Sequence, residues 1–182
     1  AEIALALCDA RFGDDLVQAA IAAPVLTRVV TFNGADGELE DLMRRASPEF
    51  ANVPTDAEET AIIAFTSGTT GQAKGTMHSH RDILAICDLF PRSCLRAGPG
   101  DRFCGSPPLA FTFGLGGLAV FPLRFGATAT LLENASPANM IEIIETYKAS
   151  ISFTSPTAYR AMLAAMDRGA DLSSLRMAVS AG

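Results

Sequence analysis

Short apolar runs alternate with helical patterns along the chain, and this alternation restricts the fold more than any other feature. Ile3–Cys8 reads as a strand, Asp14–Ala23 as a helix ending before Pro24, and Arg28–Phe32 as a strand closed by an Asn33-Gly34 turn. Leu39, Leu42, Met43 and Ala46 share one helical face. Ala61–Thr66, Arg102–Gly105, Thr128–Leu132, Ile151–Thr154 and Leu175–Ser180 read as further strands. Ser79 and Asp82 have capping-box spacing, ahead of an apolar stripe (Ile83, Leu84, Cys87, Phe90) that runs to Pro91. Ser136-Pro137 and Ser155-Pro156 each place an N-cap and a first-turn proline before a helical stripe, and Gly169 supplies a stop for the second. Strand and helix in alternation predict an α/β fold with a largely parallel sheet flanked by helices.

Composition agrees with a packed core. The 182 residues fit one ordinary domain, long enough to bury roughly 70% of the surface of the unfolded chain. Hydrophobic residues make up 49% and charged residues 19%, which argues against disorder. A net charge of −6 with no Lys/Arg run excludes an electrostatic nucleic-acid face, so any bound anion must be held by local geometry. Cys8, Cys87, Cys94 and Cys104 form no CxxC pair, and His78 and His80 lie far from them, so zinc-ligand spacing is missing. Reduced thiols and the lack of a membrane-length apolar run predict a cytoplasmic location. The first residues read as a leading β-α-β-α segment (1–46), followed by a Pro-, Asp- and Glu-rich linker (47–60) and a longer segment (61–182). Starting on an apolar run and ending on a strand, the chain reads as a piece cut from something larger.

The stretch Thr66-Ser67-Gly68-Thr69-Thr70-Gly71-Gln72-Ala73-Lys74-Gly75 carries the chemistry. Gly68, Gly71 and Gly75 permit positive φ and an inward-pointing nest of backbone N–H groups. Thr66, Ser67, Thr69 and Thr70 add hydroxyl donors, and Lys74 adds a flexible point charge. Such a density of small donors suits a polyphosphate. A Walker-type loop does not fit, because Ala73 rather than Gly precedes Lys74 and Gly75 follows it. A solvated Gly/Thr turn is the bland alternative, although an ordinary hairpin needs no run of this length.

A second glycine pattern competes. Gly114, Gly116 and Ala119 fit Gly-x-Gly-x-x-Gly/Ala, and Glu133 lies about twenty residues on, the spacing of a dinucleotide fingerprint. An NAD-binding oxidoreductase is therefore an alternative, as is a non-catalytic nucleotide-binding module. Pro108 at the start of the required strand and Pro122 inside the required helix count against the first. His80, at a helix start, has a positional role as its simpler reading, and Met162 and Met166 read as core.

The run from Ile63 to Gly75, followed by Ser79-His80 before a helix, resembles the phosphate-binding loop of the adenylate-forming ligases. That family includes acyl-CoA and aryl-CoA synthetases, firefly luciferase and the adenylation domains of peptide synthetases. Ala73 stands where the family more often has Pro. Pro108 to Gly116 is similar to the segment lining the family's acid pocket, with Phe111 where many members carry His. Ser180-Ala181-Gly182 is similar to the start of the segment where acid and adenine meet, and the Phe-rich version looks closest to benzoate- and 2-aminobenzoate-CoA ligases. The resemblance implies that Thr66, Ser67, Gly68, Thr69, Thr70, Gly71 and Lys74 hold ATP phosphates. Lys74 would stabilise leaving-group charge without acting as a nucleophile. It further implies an acid pocket at Phe111, Thr112, Gly114 and Gly116, and an adenine and acid contact at Ser180, Ala181 and Gly182. ATP, Mg and CoA would take part, with a small aromatic acid as substrate. The family's metal-holding pair, ribose-binding Asp and mobile C-terminal domain would lie beyond Gly182. The resemblance thus implies part of a large N-terminal domain, without metal ligands and inactive alone.

Overall fold

The computed structural model describes residues 3–34, 37–66, 73–166 and 169–181. The chain divides into two compact units, Ala1–Pro54 and Thr55–Gly182.

In the first unit, strand β1 (Leu5–Asp9) leads through a 3-10 turn (Ala10–Phe12) into helix α1 (Gly13–Ala22). Strand β2 (Arg28–Phe32) pairs parallel with β1, Leu5 opposite Arg28 and Asp9 opposite Phe32, and helix α2 (Glu38–Arg45) follows. Asn33 turns the chain at φ 59°. Its side-chain amide donates to the Asp9 carboxylate at 3.1 Å, which a short polar residue in the left-handed region can do. Val30 is buried, while Val17 and Ile21 on α1 are exposed.

The second unit holds an antiparallel hairpin and a parallel sheet. Strand β3 (Thr60–Thr66) and strand β4 (Lys74–Ser79) form the hairpin, with Thr66 opposite Lys74 at its tip and a register irregularity between Thr60 and Ile62. Pairing from Lys74 to Ser79 was not expected from the sequence, because a Gly, a Thr and a His interrupt the apolar alternation. Helix α3 (His80–Phe90) begins at the expected capping box: the Asp82 N–H donates to Ser79 Oγ, and the Ser79 N–H donates to Asp82 Oδ2. Pro91 does not stop the path. The chain widens into a π-type turn (Pro91–Leu95), which gives the proline ring room, and leaves it through Arg96 at φ 49°. Cys87 is buried and Cys94 is exposed, so the two do not share a face.

Strand β5 (Arg102–Gly105) precedes a helical path made of α4 (Thr112–Leu115), a π-type turn (Gly116–Val120) and α5 (Phe121–Phe125), which ends at Gly126 with φ 63°. Strand β6 (Thr128–Thr130), helix α6 (Pro137–Tyr147), strand β7 (Ile151–Thr154), helix α7 (Pro156–Ala165) and strand β8 (Met177–Ser180) complete the unit. The two Ser-Pro devices act as expected: Ser136 Oγ accepts from the Asn139 N–H and Ser155 Oγ from the Ala158 N–H, both at 3.2 Å. The second helix stops at Ala165, earlier than Gly169.

The sheet order is β6-β5-β7-β8, with every pair parallel. The fold is thus α/β with a largely parallel sheet, and the hairpin is its antiparallel exception. Alternation along β5 and β7 sorts two cores. Cys104 faces Met140, Ile144 and Met162 of α6 and α7, while Phe103, Ile151 and Phe153 pack with Leu95, Phe113 and Phe121 on the other side. All residues of β7 are buried, as a strand covered on both faces must be. Burial pushes the Cys104 thiol up to about 11, so it stays protonated as a packing group. Among the described residues no helix is long and apolar enough to cross a membrane.

Candidate functional site

The expected phosphate loop sits at the tip of the β3–β4 hairpin. Thr66 and Lys74 form the last ladder pair before it. Ser67, Gly68, Thr69, Thr70 and Gly71 lie outside the described residues, as does Gly182. Lys74 opens β4 and is exposed. Gly75 corrects one expectation: it lies in β4 and is not among the positive-φ glycines. Its small size is what matters, since a Cβ there would meet Ile63 Cγ2 at 3.0 Å and Phe65 Cε1 at 3.3 Å.

Two cavities flank α4. The first, of about 300 Å³, lies between the hairpin (Ile62, Ala64, His78), helix α3 (Ile83, Ile86), and α4 with the turn after it (Thr112, Gly116). Position 74 lies on the hairpin face that carries His78, because both are even steps along β4. Asp82 also borders this cavity. Hydrogen bonds from the Ser79 backbone N–H and then its hydroxyl hold the Asp82 carboxyl below the ordinary carboxylate range.

The second cavity, of about 360 Å³, joins segments far apart in sequence: Thr112 and Gly116 on one side, Ser180 and Ala181 on the other. Phe113, Phe121 and Phe153 wall it. These rings pack on one another, with Phe113 and Phe153 centroids 5.5 Å apart and Phe121 and Phe153 centroids 6.3 Å apart. The cavity opens at the carboxyl ends of β7 and β8, where open parallel sheets offer a crevice. Its walls depend on close backbone approach. A Cβ on Gly117 would fall 2.6 Å from the Phe153 ring, and one on Gly105 would fall 2.4 Å from the Phe153 carbonyl oxygen.

The expected pocket residues therefore separate by role. Thr112 and Gly116 border both cavities. Gly114 is buried, and a Cβ on it would lie 2.1 Å from the Pro108 carbonyl oxygen, so it seats α4 on the Pro107-Pro108 segment. Phe111 precedes α4 and is 66% exposed, and it lines neither cavity. Phe121 and Phe153 were missed as wall residues. Each sits in an element whose burial follows from tertiary register, and no local motif marks them.

The dinucleotide alternative does not hold. Its fingerprint needs a glycine turn between a strand and a helix. Here Gly114 lies inside α4 and Gly116 opens a π-type turn at φ −61°, so neither glycine forms such a turn. Pro122, expected to be incompatible with a helix, lies in α5 directly after the π-type turn, within the helical path. Glu133 lines a separate cavity with Pro107 and Pro108.

Residues 2–182 match the family described as "AMP-binding enzyme". The chain belongs to the AMP-binding enzyme family. Among the family's curated members, benzoate–CoA ligase of Thauera aromatica is 35% identical over 146 residues, covering 79% of this chain and 28% of that protein. Acetyl-coenzyme A synthetase of Salmonella typhi is 33% identical over 156 residues, covering 82% of this chain and 24% of that protein. The crystal structure of the anthranilate CoA ligase AuaEII in complex with anthranoyl-AMP superposes with a TM-score of 0.88 at 28% identity, over 98% of this chain and 36% of that one. The AMP-binding chain thus spans about a quarter of the length of these curated relatives.

Proposed function

We propose that this chain is the phosphate-loop and acid-pocket part of the N-terminal domain of an ATP-dependent, AMP-forming aryl acid–CoA ligase. The observation that carries this reading is the aromatic-walled cavity shared by Thr112, Gly116, Ser180 and Ala181; Thr112 and Gly116 also border the cavity against the hairpin that bears Lys74. In the first half-reaction a carboxylate oxygen attacks the α-phosphorus of ATP, the bond to the bridging oxygen breaks, and pyrophosphate leaves. In the second, the thiol of CoA displaces AMP and gives the thioester.

Negative charge grows on the departing pyrophosphate in the first step. Lys74, with Thr66 and the loop residues Ser67 to Gly71, would stabilise it by donating to its oxygens. Lys74 needs to be neither nucleophile nor base. Thr112 and Gly116, with the phenylalanine rings, sort acids by shape, while Ser180 to Gly182 meet the acid and adenine side. Magnesium enters only as the companion of ATP. Among the described residues there is no group of three or more His, Cys, Asp and Glu side chains suited to a metal ion.

The acid is proposed to be benzoate or 2-aminobenzoate. The aromatic wall favours a flat ring, and likeness to benzoate– and anthranilate–CoA ligases supports it. Likeness to acetyl-coenzyme A synthetase makes a small acid the direct competitor. ATP and CoA as co-substrates accord with a cytoplasmic setting. Isotope exchange between pyrophosphate and ATP tests the reading. The whole protein should exchange with benzoate or 2-aminobenzoate and far less with acetate, and the 182-residue chain should not exchange at all. Preference for acetate would overturn the substrate, and exchange by the isolated chain at a normal rate would overturn its proposed inactivity.

A further inference from the structure

The hydroxyl of Tyr159 performs a task that neither the phosphate loop nor the cavity wall explains. Tyr159 lies on α7 and packs against the core formed by Cys104, Met140 and Met162. Its Oη lies 2.9 Å from the carbonyl oxygen of Ser152 on β7 and 3.2 Å from that of Val179 on β8. One phenolic proton thus bridges the seam between two adjacent parallel strands, near the carboxyl end of β8. Burial raises the phenol above its ordinary value, so the group remains a donor at neutral pH.

Strand β8 has β7 as its neighbour on one side and is the edge of the sheet among the described residues. Its ladder ends at the Thr154–Ser180 pair. The residue after the bridged carbonyl is Ser180, and Ser180 and Ala181 line the aromatic cavity. An edge strand frays most readily at its end, where paired neighbours run out. The Tyr159 bridge thus holds the carbonyl of Val179, itself a lining residue next to Ser180 and Ala181.

We propose that Tyr159 is a positioning residue: its hydroxyl pins the end of β8 to β7 and α7, and so holds Ser180 and Ala181 against the acid. The part of this statement that concerns the acid rests on the ligase reading above. Tyr159 itself does not line the cavity, so it acts through the strand end.

Tyr159→Phe keeps the ring in the core and removes the hydroxyl. Hydrogen exchange read by mass spectrometry should be faster over 177–181 than in the wild type, with 151–154 little changed. Equal exchange over 177–181 would overturn the bridge. Titration with benzoate supplies the second arm. Loss of one hydrogen bond of ordinary net strength predicts roughly two- to tenfold weaker binding in Tyr159→Phe. Met162→Ala is the control, because it opens the same core without touching the bridge; it should lower thermal stability more and leave benzoate affinity at the wild-type value. Equal benzoate affinity in Tyr159→Phe and wild type would overturn the positioning role, as would equal weakening in both variants. If the wild type binds no aryl acid, the ligase reading falls, and exchange over 177–181 still decides the bridge.

Discussion

The hairpin and the parallel sheet of the second unit are built on opposite terms. In the sheet, β7 is buried throughout and both faces of β5 and β7 are covered. In the hairpin, one face carries Ile63, Phe65 and Met77, all exposed, and Lys74 begins a strand in which most residues are exposed. Sequence tells the two apart by what flanks them: the sheet strands alternate with helical patterns, while the hairpin strands flank a loop of Gly, Thr and Ser. In the proposed reaction the sheet would supply shape, and the hairpin charge and donors. Substitutions in the sheet should therefore cost stability first, and substitutions at the hairpin should cost chemistry first.

Phe153→Ala is expected to have the largest effect on stability. The ring is fully buried against Phe103, Phe113 and Phe121, so truncation should cost about 3–5 kcal/mol in denaturant unfolding. A loss below 1 kcal/mol would erase the contrast with the hairpin. Arg176→Met comes next. Its guanidinium holds Asp101 at 2.7 Å and donates to the Leu95 carbonyl at 2.7 Å, tying the start of β8 to the turn after α3. Arg176 is 39% exposed on its side chain, so screening limits the expected loss to about 2 kcal/mol.

The same pair sets a pH dependence. Burial raises the Asp101 carboxyl, but Arg176, the Ser150 hydroxyl and the Gly98 N–H outweigh it and leave it below the ordinary value. Its stabilising contribution is therefore complete above the unfolded-state value and is lost as pH falls through the lower folded-state value. Unfolding followed from neutral to acid pH should show a shallower acid limb in Arg176→Met than in the wild type. Smaller again is Ser155→Ala, which removes the cap of α7 and should cost about 1 kcal/mol. At the bottom stands Met77→Thr on the exposed hairpin face, expected within about 0.5 kcal/mol of wild type in the same unfolding assay. A loss above 2 kcal/mol there would show that the face is packed.

Legibility in the sequence followed the range of the forces. Strands Arg28–Phe32, Arg102–Gly105 and Ile151–Thr154 were readable to the residue, because each is a compact apolar or β-branched run with sharp flanks. Caps at Ser79, Ser136 and Ser155 were readable because a cap is a local hydrogen bond. The stretch from Thr112 to Phe125 was not read as helix, since its glycines and Pro122 argue against one locally. Tertiary contact decides otherwise: Gly114 and Gly117 are where α4 and the π-type turn touch Pro108 and Phe153. At the site, Thr112, Gly116, Ser180 and Ala181 were legible through resemblance, but their convergence on one cavity depends on sheet order. Phe121 and Phe153 entered only through that packing.

The central claim, that Lys74 at the hairpin tip stabilises charge on a departing pyrophosphate, is tested most directly by Lys74→Ala in the whole protein. Acid-dependent ATP–pyrophosphate exchange should be followed together with the equilibrium affinity for the acid. Charge on the leaving group develops mainly in the transition state, so the exchange rate should fall by roughly a hundredfold or more while acid affinity stays within about twofold. An unchanged exchange rate, or an equal loss in rate and acid affinity, would contradict the account.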